Sequence, residues 1–91
     1  MYRAEVFVSL KPVVNDPEGI TIRSGLHALG FTKVQEVRSG KYLVLTVDEA
    51  DEASARSAVE EMARKLLSNA VIEDFRFELH QVAERTAVES R

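Results

Sequence analysis

The sequence predicts an α+β fold: a βαββαβ ferredoxin-like two-layer sandwich, its antiparallel sheet carrying two helices on one face and oligomerising through the sheet. Three observations carry this expectation. Residues 2–11 alternate as a strand with one buried face, Tyr2, Ala4, Val6, Val8 and Leu10 against Arg3, Glu5, Phe7, Ser9 and Lys11. Residues 42–47 are apolar or β-branched on both faces, which suits a strand inside a sheet. Two stretches of helical periodicity, each opened by acidic residues, separate these strands from each other and from a last alternating run at 71–82.

Each element has a local cause. Pro12 ends the first ladder because it has no N–H to donate. Asp16 can cap free amides, Pro17 is pre-set for the first helical position, and Glu18 suits the positive end of the helix dipole. Ile22, Leu26 and Leu29 then recur at helical spacing until Gly30, which can close the helix in a left-handed conformation. Residues 33–38 and 41–48 read as a hairpin around Ser39-Gly40, with glycine taking the positive φ. Val34 and Val37 are out of phase, so the first arm is expected to be an edge strand or bulge. Asp48 is the expected cap of the second helix, with Glu49, Asp51 and Glu52 in its first turn. Ala55, Val59, Met62 and Leu66 form its apolar stripe, Ser68-Asn69 stops it, and Phe75, Phe77 and Leu79 face inward on the last strand. The first and third strands should lie centrally. That leaves either Phe7 with Tyr42 and Val44, or else Leu43, Leu45 and Val47, on an uncovered face that would serve self-association. The self-association candidates are Phe7, Tyr42, Val44 and Leu45.

Residues 1–82 make one domain, and 83–91 a polar tail expected to be loose. A chain of 91 residues buries only roughly 60–65% of its unfolded surface, so partners would help it. Fifteen acids against twelve bases give a net charge of −3, which speaks against a nucleic-acid partner. No stretch approaches the ~18 apolar residues of a membrane span, and no signal-peptide pattern is seen. Cysteine is absent, which removes disulfides, thiolate metal sites and a thiol nucleophile and suits the cytoplasm.

The chemistry of the side chains is sparse. There is no phosphate-loop pattern, and Gly40-Lys41 reads either as a solvated turn lysine or as an anion contact across an interface. His27 and His80 lack neighbours at metal-ligand spacing along the sequence, and the carboxylates at 49–52 read as dipole compensation. Glu73 and Asp74 are adjacent on a strand, point to opposite faces and cannot act as an acid/base pair. They are either a charged strand entry or, with Asn69, a polar rim where a partner docks.

Several short motifs occur in a fixed order: Leu10-Lys11, Asp16-Pro17-Glu18-Gly19, Leu29-Gly30-Phe31, Gly40-Lys41, Leu66-Leu67-Ser68-Asn69 and Val71-Ile72-Glu73-Asp74-Phe75. In this order they resemble the PurS subunit family of phosphoribosylformylglycinamidine (FGAM) synthase, with Ala70 where the family commonly has proline. The resemblance runs from about Tyr2 to Leu79. It implies a non-catalytic but required subunit of an ATP-dependent amidotransferase in purine biosynthesis. Such a subunit, a homodimer or homotetramer, would bridge the glutaminase subunit PurQ and the synthetase subunit PurL and support ammonia transfer between them. ATP and Mg would be used by the synthetase, with no cofactor in this chain, and the glutaminase nucleophile would lie elsewhere. Partner-contact candidates are Asn15, Asp16, Gly19, Lys41, Asn69, Ile72, Glu73 and Asp74. A different class remains open: an ACT-like regulatory module, with the same element order, binding an amino acid at a dimer interface.

Overall fold

The structure, a computed structural model, describes residues 1–83. Its elements are β1 (Tyr2–Leu10), α1 (Pro17–Ala28), β2 (Gly40–Val47), α2 (Glu52–Met62), which runs on into a π-helical turn at Ala63–Leu67, and β3 (Glu73–Gln81). The predicted tail, 83–91, lies outside the described residues except for Ala83. The α+β class and the antiparallel sheet stand as the sequence predicts.

The strand order is β2-β1-β3, both pairings antiparallel. Tyr2, Ala4, Val6 and Val8 of the central strand are buried under α2 and the turn after it, which bring Ala55, Val59 and Ala63 down onto them. Leu43, Leu45, Phe75, Phe77 and Leu79 complete this layer from the flanking strands. Small residues on α2 let the helix approach closely, and β-branched valines fill the pleat beneath.

Residues 34–39 form no strand. In the split βαβ plan that segment would lie outside β2, leaving β2 central; here β2 is an edge. The physical reason is that side chains, not a ladder, satisfy the segment's backbone. Arg23 Nε donates to the Gln35 carbonyl at 3.0 Å, and His27 Nε2 lies 2.8 Å from the Val34 carbonyl oxygen. The Ser39 N–H donates to Asp16 Oδ2 at 2.7 Å. No hairpin turns at Ser39-Gly40, and Gly40 does not have positive φ; among the glycines only Gly30 does, at 102°. Gly40 is needed instead because a Cβ there would overlap the Val8 carbonyl.

The second helix is capped by Asp51, whose Oδ1 accepts the Ser54 N–H at 2.8 Å, rather than by Asp48. At its far end both the N–H and the hydroxyl of Ser68 donate to the Ala63 carbonyl at 2.9 Å, widening the last turn. α1 differs. Its one buried residue is Gly19, and Ile20, Ile22 and Leu29 stay exposed. The radius of gyration, 16.8 Å, exceeds the ~12 Å of a compact chain this long, as expected when a helix stands off its sheet.

Candidate functional site

Asp16 organises the end of the sheet where β1 leaves and β2 enters. Its Oδ1 accepts the Gly19 N–H at 3.0 Å, capping α1, while its Oδ2 accepts the Ser39 N–H. Only 4% of Asp16 is exposed. Bonds from the Gly19 and Ser39 amides hold its carboxyl below the ordinary carboxylate range. Each oxygen accepts a backbone amide, so Asp16 serves as an anion that fixes local structure. Gly19 sits against residues 34–39 so closely that a Cβ would overlap the Val37 carbonyl. The Asp-Pro-x-Gly motif therefore has a mechanical meaning: aspartate ties two segments together and glycine lets them touch.

Arg38 completes the arrangement, and the sequence reading missed it. One guanidinium nitrogen donates to the carbonyls of Lys11 and Val14, both at 2.9 Å, fastening the loop after β1. Ser39 Oγ donates to Glu18 Oε1 at 2.6 Å. Neither residue stands out by periodicity; the signal that could have found them is the set of loop carbonyls in 11–15 that no strand or helix can satisfy.

A cleft of about 440 Å³ opens beside these groups, lined by Asp16, Glu18, Ser39, Lys41 and Glu73 among others. Lys41 Nζ lies 3.7 Å from Glu73 Oε2. Glu73 Oε1 in turn accepts the Asn69 N–H at 2.7 Å. Asn69 is the centre of its turn: its Oδ1 accepts the Val71 N–H, and its carbonyl accepts the N–H groups of Ile72 and Glu73. On the other face of the sheet, Lys11 Nζ donates to Asp74 Oδ1 at 2.7 Å. Glu73 and Asp74 do point to opposite faces, Glu73 opposite Leu10 and Asp74 opposite Ser9.

The structure thus brings Asp16, Gly19, Lys41, Asn69, Glu73 and Asp74 to one end of the molecule. Asn15 and Ile72 are exposed beside them, as are Val13, Leu66 and Val71, which are 93%, 83% and 81% exposed. The self-association candidates divide. Phe7, Tyr42 and Val44 share the face opposite α2, the Phe7 and Tyr42 rings 5.2 Å apart, whereas Leu45 pairs with Ala4 on the covered face. Among the described residues no buried side-chain nitrogen or oxygen lacks a partner. Here hydrogen bonds and ion pairs fix the loops, and apolar residues are displayed between them.

Comparison with known proteins follows this geometry. The family model of PurS, described as phosphoribosylformylglycinamidine (FGAM) synthase, matches residues 3–81. The chain is 45% identical over 82 residues to the phosphoribosylformylglycinamidine synthase subunit PurS of Bacillus subtilis, covering 90% of this chain and 96% of that one. It is 39% identical over 82 residues to the corresponding subunit of Methanocaldococcus jannaschii, covering 90% of this chain and 99% of that one. The Bacillus subtilis PurS structure superposes with a TM-score of 0.81 at 44% identity, covering 89% of this chain and all of that one. A chain of the Thermotoga maritima PurLQS structure does so with a TM-score of 0.78 at 26% identity, covering 88% and 99%. With its sheet and nearly its whole described length accounted for, the chain belongs to the PurS family of FGAM synthase subunits.

Proposed function

We propose that this chain is the small, non-catalytic subunit of an FGAM synthase complex in purine biosynthesis. It would hold a PurQ-type glutaminase and a PurL-type synthetase together so that ammonia released by one is used in the ATP-dependent amidation carried out by the other. ATP and Mg are then handled by the synthetase, and assembly takes place in the cytoplasm. The observation that carries this reading is the family match over 3–81, joined to a loop cluster whose polar groups are spent on positioning one another.

Two surfaces divide the work. The end of the sheet bearing Asn15, Asp16, Gly19, Lys41, Asn69, Ile72, Glu73 and Asp74 docks the larger subunits, its exposed Val13, Leu66 and Val71 supplying apolar contact. The second surface serves a homodimer or homotetramer. Phe7, Tyr42 and Val44 offer an apolar patch, and the outer edge of β2 offers unpaired backbone groups. Leu45 contributes only at that edge, from the covered side.

Reconstitution tests this. The tagged chain should capture both a PurQ-type glutaminase and a PurL-type synthetase, and glutamine-dependent activity should require it. Asp74→Ala should leave the isolated subunit within about 0.5 kcal/mol of the parent, since Asp74 is exposed. Loss of a bond from a charged group to a partner would weaken assembly by about 1.5–3 kcal/mol. Full activity of the two larger subunits without this chain would overturn the reading.

A further inference from the structure

The open face of the sheet, which carries Phe7, Tyr42 and Val44, also holds a group of charged side chains beside them. Glu5 of β1 stands directly opposite Glu78 of β3, and His80 lies two residues further along β3 on the same face. Like charges directly opposed on neighbouring strands are unfavourable, so this placement calls for a cation. Two arginines supply that charge. Arg76 donates to Glu78 Oε2 at 3.1 Å while resting on the Phe7 ring, and Arg3 Nε lies 4.0 Å from Glu5 Oε2. The arginines therefore engage one oxygen of each carboxylate, and the other oxygen of each faces the imidazole. His80 Nε2 is 3.7 Å from Glu5 Oε1 and 3.9 Å from Glu78 Oε1.

Those separations are too long for hydrogen bonds. They are near the ~3.4 Å between donor atoms that bond lengths of about 2.0–2.2 Å impose around a tetrahedral ion. One donor atom from each of the three residues lies within 4.8 Å of the other two, the only such cluster among the described residues. Two positions on one strand and one on its neighbour converge on a point above the sheet, as a facial three-ligand site requires. We propose that Glu5, Glu78 and His80 form a divalent transition-metal site suited to Zn²⁺, with water completing the coordination. One nitrogen and two carboxylate donors favour a borderline ion over Mg²⁺ or Ca²⁺, which take oxygen donors and more of them. Arg3 and Arg76 orient the carboxylates from outside the ligand set.

The test uses the full, untagged chain, stripped with a chelator and desalted, then titrated with Zn²⁺ in a calorimeter. One ion should bind per chain, and excess Mg²⁺ should not displace it. His80→Asn and Glu5→Gln should each weaken binding at least about tenfold with unchanged far-ultraviolet dichroism, whereas His27→Asn should bind as the parent does. Co²⁺ at the same site should show the visible bands of a tetrahedral nitrogen/oxygen environment, absent in His80→Asn. No binding by the parent, equal binding by the His80 and Glu5 variants, or half an ion per chain lost on dilution would each overturn the assignment.

Discussion

The two helices of this chain start alike and end up differently attached. Each opens with an aspartate cap, Asp16 for α1 and Asp51 for α2. The second helix buries Ala55 and Val59, with Ala63 in the π turn that follows, against the valines of β1, so its place is set by non-directional apolar contact. α1 buries only Gly19; its place is set by directional links, Asp16 to Ser39, Arg23 to Gln35 and His27 to Val34. A helix held by its polar side chains keeps its apolar ones available. Ile20 and Ile22 of α1 and Leu29 at its C-terminal cap are 52%, 40% and 75% exposed, and they extend the apolar surface open to a second copy or a larger subunit.

Breaking each attachment in turn sharpens the contrast. Val59→Asp should have the largest effect, because it puts an unpaired charge at a position with no exposure. The expected outcome is loss of the cooperative thermal transition followed by circular dichroism. Gly19→Ala comes next. The added Cβ must displace the Val37 backbone, and a cost of roughly 1–3 kcal/mol is expected from chemical denaturation. The circular dichroism spectrum should remain native.

Asp16→Ala should lower the melting temperature by roughly 5–10 °C, from the lost cap and the freed 34–39 segment. The accompanying pH dependence has a definite sign. The folded-state pKa of Asp16 lies below its ordinary value of 3.8, so its ionised form stabilises the fold above that value. This contribution is lost as pH falls through the depressed folded pKa. Asp16→Asn should therefore differ from the parent at neutral pH and converge with it in acid; a difference that grows in acid would contradict the assigned bonds.

Leu29→Glu should have the smallest effect on the isolated chain, within about 0.5 kcal/mol, because the side chain is already in water. If the apolar residues at this end of α1 extend the proposed self-association surface, sedimentation should show weaker association; unchanged association would confine that surface to Phe7, Tyr42, Val44 and the edge of β2.

The sequence by itself determined every element whose pattern is local. The alternation of 2–10 marks β1, the Asp16-Pro17 pair starts α1, the apolar stripe from Ala55 builds α2, and Phe75, Phe77 and Leu79 orient β3. The family motifs were legible too as short runs in a fixed order, although the contacts that give them meaning, such as Asp16 to Ser39 and Lys11 to Asp74, join distant parts of the chain. What only the tertiary structure decided depends on partners far apart in the chain. Residues 33–38 look like a poor strand, and whether a poor strand pairs is settled by competitors for its backbone, here Arg23, His27 and Asp16. Their capture of it leaves β2 an edge although its composition suits a centre. The cap of α2 moved from Asp48 to Asp51 because several acids in succession satisfy the same local rule, and only the helix entry geometry selects among them. The sequence likewise showed Glu5, Glu78 and His80 as unrelated charges; register alone sets them side by side, since strand pairing converts a separation of more than seventy residues into one of a few ångströms.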